Sequence, residues 1–331
     1  MPYHLPSAYR FSYDFAVYLH DFLAGLVKAG EVTGAFKVRL HVATDDPLPP
    51  EGLAGKDLSL WLDAHYTRAA IELAYKSLLA ALLADSCHFI WESLRASARG
   101  KQTVAYDLIR KSFKESLFYL EWLLADPAEF LQRFNIGPDD IAVEKQPEGK
   151  RRAVIEEALL KSGSSGLDAS FLYEVRYDRN AGHGYAVAWD QAIHLVTTFR
   201  QAKTSRRNLN LILSSSPGHE ALWEHYYRLI PYLLYHMVCV SSALLEGIAS
   251  FKEPESRFHR IRRDLGFVLH SEWILGRAPS NALAIGKGLL ENLTCAQCGS
   301  AFALHRRNLK SFVTRGKLAC RNCRTITVLP Q

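Results

Sequence analysis

Four cysteines near the end of the chain have the residue type and spacing of a metal site. They form two Cys-x-x-Cys pairs, Cys295 with Cys298 and Cys320 with Cys323. Each pair places two thiolates on one tight turn, and two such turns facing each other form a tetrahedral pocket for Zn²⁺. Because four protein ligands leave no open position for water, the pattern predicts one structural zinc ion. Gly299 follows the first pair, where such a turn commonly needs a residue without Cβ.

Disulfide pairing is the alternative for these cysteines, and the start of the chain argues against it. The sequence MPYHLPSAYRF lacks the basic region and the apolar stretch of a secretory signal. We therefore expect a cytoplasmic protein with reduced thiols. The other two cysteines, Cys87 and Cys239, lie singly in apolar helical surroundings, and we expect them to be buried structural residues.

The charges around the cysteine pairs predict a nucleic-acid partner. The whole chain has a formal net charge of +6, but residues 292–331 contain no Asp or Glu. A small positive segment of this kind attracts phosphate backbones, with an affinity that falls as the salt concentration rises. The residues expected to contact phosphates are Arg306, Arg307, Lys310, Arg321 and Arg324. Two alternatives stay open: the charges keep the segment soluble while it packs on its own helical body, or the segment contacts only protein.

A second candidate chemistry is metal-independent RNA cleavage by an Arg and a His on one helix face. The spacing Arg-x6-His occurs from Arg176 to His183 and from Arg263 to His270. Seven residues make two helical turns, so both side chains of a pair would share a face. There the Arg would hold the scissile phosphate and the His would move a proton.

This spacing resembles the Arg-x4-6-His motif of HEPN ribonucleases, which are small helical domains that dimerise to form their site. Arg263 and His270 match better than the other pair, because the polar Asp264 follows the Arg as it often does in that family. The resemblance implies catalytic roles for Arg263 and His270. The alternative is that His270 ends a helix and Arg263 is a surface charge, since chance alone produces about as many such spacings in this chain.

The remaining motifs indicate structure rather than chemistry. His194 lies in an apolar helical stretch and is expected to be a hydrogen-bonded core histidine. A basic cluster is expected to end that helix, where cations complement the negative terminus; it consists of Arg200, Lys203, Arg206 and Arg207. The sequence has no Gly-rich phosphate loop, Gly-x-Ser-x-Gly or His-Glu-x-x-His motif. The common nucleotide-binding, hydrolase and metalloprotease classes therefore lose support.

Hydrophobic periodicity predicts a mainly α fold: a multi-helical body with a short N-terminal β element and a small C-terminal β zinc ribbon. Helices are expected at residues 11–28, ending at Gly30, and at 58–83, 86–99, 104–125, 151–160, 169–177, 185–202, 219–250, 256–270 and 281–291. Alternation from Phe36 to Val42 predicts a strand, and further strands are expected near residues 301–304, 312–314 and 325–329. Turn-rich segments divide the chain into an N-terminal helix-strand segment (1–52), a helical domain (53–148), a second helical region packed on the first (149–291) and the zinc ribbon (292–331).

One apolar segment raises the question of a membrane. Leu229 to Leu245 contains no charged residue, but it is shorter than the roughly 20 residues that span a bilayer, and it includes Pro231 and His236. We therefore expect a buried core helix and no membrane partner.

Two further resemblances complete the prediction. Residues 108–131 and 189–204 resemble parts of uncharacterised bacterial proteins from defence or mobile-element neighbourhoods, which implies a helical core. The cysteine segment resembles the C-terminal zinc site of the zinc-binding subunit of the flagellar master transcriptional activator, whose pattern Cys295, Cys298 and Gly299 match, with the aromatic Phe302 one place late.

The leading hypothesis is a bacterial zinc-ribbon protein that binds DNA or RNA, as a subunit or regulator in a defence or mobile-element system. The helical body would mediate homodimerisation or docking of a protein partner. The alternatives are a HEPN-like endoribonuclease and a protein-interaction scaffold.

Overall fold

The structure is mainly α-helical, as the sequence predicts. The computed structural model describes residues 5–44, 46–164, 166–200, 203–207, 209–210, 218–248, 253–290 and 293–329. The helices of the first half are α1 (Arg10–Thr33), α2 (Gly55–His65), α3 (Thr67–Ala98), α4 (Gln102–Arg110), α5 (Leu117–Ala125), α6 (Pro127–Ile136) and α7 (Pro138–Ile141). Those of the second half are α8 (Glu148–Ser162), α9 (Ala169–Tyr177), α10 (Tyr185–Ile193), α11 (Gly218–Glu246), α12 (Glu253–Ile274), α13 (Ser280–Leu290) and α14 (Arg306–Arg315). Two short strands near the C-terminal end, β1 (Lys317–Ala319) and β2 (Ile326–Val328), form an antiparallel pair.

Helix α11 forms the centre of the helical body. It packs against α1, α5, α8 and α12, and Ile230, Leu233 and Met237 on it are fully buried. A helix that is apolar on all sides is stable when other helices cover it. The prediction of a core helix from Leu229 to Leu245 is therefore confirmed.

Two described helices are long and apolar enough to cross a membrane by length and composition alone. They are α3, whose most apolar stretch is 28% buried, and residues 219–246 of α11, whose most apolar stretch is 78% buried. For α11, burial against its neighbours already accounts for the apolar composition.

The helical segment from Gln102 to Ala125 changes its winding in the middle. Residues Lys111–Ser116 form a π-helical turn between α4 and α5. Phe113 within this turn and Leu117 directly after it are both fully buried, so the wider turn keeps both halves of the segment packed on the core. Such turns are rare in proteins, and those that occur often lie at functional sites. This one contacts α9.

The predicted strand from Phe36 to Val42 is wrong. These residues form neither helix nor strand, and no other strand of the described chain lies beside them to complete a hydrogen-bonded ladder, without which a strand is not stable. Helix α1 also continues past Gly30, where the ring of Phe36 packs in the place that a Cβ would occupy. The helix ends at Thr33 with Gly34 in the left-handed conformation, at φ 71°.

Helix α10 is shorter than predicted and ends at Ile193 rather than at residue 202. His194 is the exposed C-cap and not a core residue. The β-branched run that follows disfavours helix, and Thr197 instead exchanges hydrogen bonds with Thr204 at 3.0 and 2.8 Å. The described members of the basic cluster therefore lie in a loop and not at a helix end; Gln201 and Ala202 of the predicted helix lie outside the described residues.

The C-terminal segment contains a helix where a strand was expected near residues 312–314. Leu309, Phe312 and Val313 recur at helical spacing and are fully buried. His305 caps the start of α14, and Gly316, at φ 63°, caps its end. The strand expected near 325–329 is confirmed as β2, whereas the strand expected at 301–304 is reduced to a single bridge between Ala301 and Thr294.

Candidate metal centre and basic surface

The four predicted cysteine ligands lie together at the C-terminal end. Their Sγ atoms are all within 4.8 Å of one another. Cys295 Sγ is 3.6 Å from Cys323 Sγ, and Cys298 Sγ is 3.6 Å from Cys320 Sγ. A tetrahedral ion bound at about 2.3 Å from each sulfur requires sulfur separations of about 3.8 Å, whereas a disulfide requires about 2.05 Å. The cluster therefore has the dimensions of a four-thiolate metal site and could hold one ion.

The two Cys-x-x-Cys turns are built in the same way. In the first turn, the amide of Cys295 donates to the Ser300 carbonyl and the amide of Gly299 donates to the Cys295 carbonyl, both at 2.9 Å. In the second turn, the amide of Cys320 donates to the Thr325 carbonyl at 2.9 Å, and the amide of Arg324 donates to the Cys320 carbonyl at 3.0 Å. Each turn thus fixes both of its sulfurs by two backbone hydrogen bonds.

The residue after each pair has left-handed backbone geometry, at φ 69° for Gly299 and φ 61° for Arg324. The expectation for Gly299 is confirmed. For an L-residue such as Arg324, this conformation costs roughly 1–2 kcal/mol. The structural role of Arg324 was missed, although its position matches that of Gly299 in the first pair. The chain tolerates an arginine at this strained position, which keeps one more positive charge at the surface.

Polar neighbours favour the thiolate form of two of these cysteines. Hydrogen bonds with Ser300 lower the pKa of the Cys298 thiol to about 6. Thr325, whose Oγ1 lies 3.3 Å from Cys323 Sγ, lowers the pKa of that thiol as well. Metal binding requires thiolates, so these contacts prepare the cluster for a positive ion.

A buried asparagine joins the parts of this segment. The Asn308 side chain donates to the carbonyls of Ala303 and Ala319, each at 3.0 Å, and accepts from the amide of Ala319 at 3.3 Å. Because Ala319 directly precedes Cys320, this side chain holds the first turn of α14 next to the second cysteine turn. The sequence contained no signal for this role, since the partners of a buried amide are set by tertiary packing.

Helix α14 also packs on the helical body, through α1 and α12. The rings of Phe312 and Phe258 meet edge to face at 5.5 Å. Arg262, which is 3% exposed, donates to the Val313 carbonyl from Nε and Nη2 at 3.3 and 3.1 Å. The cysteine cluster is thus attached to the body by a helix whose apolar face is buried.

Four of the five predicted phosphate contacts lie in solvent. Arg306, Arg307, Arg321 and Arg324 are exposed, and we call these four residues the basic surface. None of them forms an ion pair with a carboxylate in the described part of the chain. The fifth, Lys310, is half-buried with its Nζ 4.9 Å from the centre of the Phe11 ring, and burial lowers its pKa. Lys310 therefore faces the body rather than solvent.

The predicted pair Arg263 and His270 does not form a site open to a substrate. His270 is fully buried, with Nδ1 3.2 Å from Ser12 Oγ and Nε2 3.2 Å from the Arg228 carbonyl. Burial lowers the pKa of His270 to about 4. Arg263 donates to Asp264 at 3.1 Å and lines a cavity of about 660 Å³ that His270 does not reach. With both ring nitrogens engaged inside the core, His270 has no access to a phosphodiester.

Arg176, the arginine of the other Arg-x6-His pair, belongs to a buried ionic triad that the sequence did not predict. Arg176 donates two hydrogen bonds of 2.8 Å to the Glu121 carboxylate, and His236 Nε2 lies 2.8 Å from the same carboxylate. All three side chains are 0% exposed, whereas His183 is exposed. Burial alone would raise the pKa of Glu121, but Arg176 and His236 hold it below its usual value. The available signal was a lone Glu in the apolar run FYLEWLL, since a buried charge requires a partner.

Comparison with known proteins yields no relative: no protein-family model, curated protein or solved structure matches the chain.

Proposed function

We propose that the protein binds nucleic acid through the basic surface and that one Zn²⁺ in the four-cysteine cluster fixes this surface in place. The observation that carries the proposal is the exposure of four arginines without carboxylate partners around a cluster of metal-site dimensions. The surrounding residues 293–329 contain no acidic side chain.

Zinc is the ion that this donor set favours. Four thiolates at tetrahedral spacing select zinc or iron, and zinc is the usual ion of structural sites. Cys295, Cys298, Cys320 and Cys323 would hold it, and it would supply rigidity rather than Lewis acidity because no coordination position stays open. Rigid placement matters for Arg321 and Arg324, which lie within and directly after the second cysteine turn.

The placement of Arg306 and Arg307 also supports a phosphate partner. Both lie in the first turn of α14, where the helix macrodipole is positive and a cation costs about 0.3–1 kcal/mol. A phosphate at this end would interact favourably with the dipole and with both guanidinium groups. Arginines that are unfavourable for the helix alone become favourable when an anion is bound.

The cellular setting is proposed from resemblance. Residues 108–131 and 189–204 resemble proteins of bacterial defence and mobile-element neighbourhoods, so we place the protein there as a nucleic-acid-binding subunit or regulator. The alternative is that the cysteine segment binds only protein. The following experiment would support this alternative if no nucleic acid is bound.

The test measures fluorescence anisotropy with a short DNA duplex and an RNA of the same sequence. If the four arginines neutralise four phosphates of the duplex, the affinity should fall about 150-fold between about 50 and 200 mM salt. Arg306→Gln/Arg307→Gln should bind more weakly at low salt, and its fall over the same range should be only about 12-fold.

The matched control is Lys56→Gln/Arg68→Gln, which removes two exposed charges from α2 and α3. It has the same net charge as the test variant and should bind like wild type. Absence of binding at low salt, or an equal loss in the control, would reject the proposal and favour a protein partner.

A further inference from the structure

A small cavity in the helical body is lined mainly by positive side chains. It has a volume of about 240 Å³ and lies among α4, the π turn, α8, α9 and α10. The basic residues of its lining are Arg110, Lys114, Arg151, Arg176 and Arg179. The acidic residues of its lining are Glu144 and Asp190. No residue of the cysteine segment is among the described residues that line it, so the cavity is separate from the proposed nucleic-acid surface.

Three buried nitrogen atoms of this lining have no hydrogen-bond partner among the described residues. They are Trp189 Nε1, Arg110 Nε and Arg151 Nε. Trp189 is only 1% exposed, so its indole N–H lies away from bulk solvent. Leaving a buried donor unpaired is unfavourable, and all three atoms are donors. Three donors on residues that line the cavity therefore lack an acceptor among the described residues.

The ion pairs around the cavity leave one positive charge uncompensated. Lys114 pairs with Glu144 at 3.3 Å, Arg179 with Asp190 at 2.8 Å and Arg110 with Glu115 at 3.5 Å. Arg176 pairs with Glu121, as described above.

Arg151 is different from these four. It donates to the Val143 carbonyl at 3.2 Å and to the Tyr173 hydroxyl at 3.3 Å, and no carboxylate of the described chain pairs with it. A half-buried guanidinium without a carboxylate partner is the part of the lining that an anion would satisfy.

We infer that this cavity binds a small oxyanion of the phosphate type. The unprotonated oxygens of such an anion are acceptors that match the three unpaired donors, and its negative charge balances Arg151. The volume is below the roughly 300 Å³ at which pockets for drug-sized ligands begin, so the occupant is inorganic phosphate or a short phosphate monoester. The adjacent π turn, a feature frequent at functional sites, agrees with this assignment.

The test is isothermal titration of the full-length protein with inorganic phosphate and, separately, with methyl phosphate, each against chloride at equal ionic strength. Wild type should bind at least one of the two, and the tighter one identifies the source of the phosphate group. Arg151→Gln should weaken binding about 10- to 100-fold, and Trp189→Phe, which removes one neutral donor, about 2- to 12-fold.

Arg152→Gln is the matched control. Arg152 is the next residue on α8, pairs with Glu148 at 2.8 Å and does not line the cavity, so this variant should bind like wild type. The inference fails if wild type binds neither phosphate, if Arg151→Gln and Trp189→Phe both bind like wild type, or if Arg152→Gln loses as much affinity as Arg151→Gln.

If circular dichroism shows that Arg151→Gln is unfolded, Trp189→Phe decides the outcome. Arg306→Gln/Arg307→Gln should keep full phosphate affinity, so failure of the nucleic-acid proposal would leave this result unchanged.

Discussion

The buried position of His270 predicts a specific loss of stability at mildly acidic pH. In the unfolded chain the imidazole has a pKa of 6.5, whereas in the folded protein burial lowers it to about 4. Between these values the unfolded state binds the proton and the folded state does not. Acid therefore favours unfolding, and the stability present above the unfolded pKa is lost as pH falls toward the folded pKa.

The size of the effect follows from the two pKa values. Linkage gives a loss of about 2 kcal/mol from this one group between about pH 7.5 and pH 5. Burial also lowers the pKa values of the fully buried His236 and the half-buried His225. The total loss in wild type is therefore larger, and the share of His270 has to be isolated by difference.

The assay is urea unfolding of wild type and His270→Gln at both pH values. Glutamine keeps a donor and an acceptor near Ser12 and the Arg228 carbonyl but does not titrate, so the variant should lose about 2 kcal/mol less than wild type on acidification. His88→Gln, at an exposed position, should show the wild-type pH dependence. Equal pH dependence of His270→Gln and wild type would show that His270 is not held neutral in the core.

Two further predictions concern the buried triad and the cysteine cluster. Glu121→Gln leaves Arg176 as a buried unpaired cation and should cost about 3–5 kcal/mol in urea unfolding, whereas the exposed Glu92→Gln should cost less than about 1 kcal/mol; a small loss for Glu121→Gln would contradict the buried pairing. Cys320→Ser should abolish stoichiometric zinc in elemental analysis and allow tryptic cleavage in the second cysteine turn, because a structural site needs all four ligands. Cys87→Ser should retain the metal, and full zinc content in Cys320→Ser would exclude the four-thiolate site.

The features that sequence predicted well are those set by neighbours in the chain. Helix α9 occupies the predicted residues 169–177, with Asp168 accepting from the amide of Phe171 at 2.7 Å as its N-cap. Asp126 caps α6 in the same way, through the amide of Glu129. The cysteine pairs belong to this class, because a Cys-x-x-Cys turn is a local structure and only the meeting of the two turns is long-range.

The features that sequence missed depend on distant partners. Arg176 meets Glu121 across 55 residues, and His236 meets the same carboxylate across 115. The prediction that Arg263 and His270 lie two turns apart on one helix is correct, since both are on α12. Periodicity alone did not show that His270 faces the core. The Glu129 side chain likewise bonds to Trp122, Arg133 and Lys150, of which Lys150 lies 21 residues away.

The cysteine segment is held in place by two separable anchors, and this separation has a functional consequence. Leu309, Phe312 and Val313 attach α14 to the helical body without any metal, so Arg306 and Arg307 should stay placed in the metal-free protein. Arg321 and Arg324 lie in the second cysteine turn, which its own hydrogen bonds, the flanking β1–β2 pair and the contact of Asn308 with Ala319 hold, and which the ion would join to the first turn. Removal of zinc should loosen the placement of Arg321 and Arg324 and, if the protein binds nucleic acid as proposed, reduce the salt dependence of binding from about four phosphates toward about two. Under the proposed function, the metal would set the number of phosphates that the protein contacts, while the helical core would keep the remaining contacts in position.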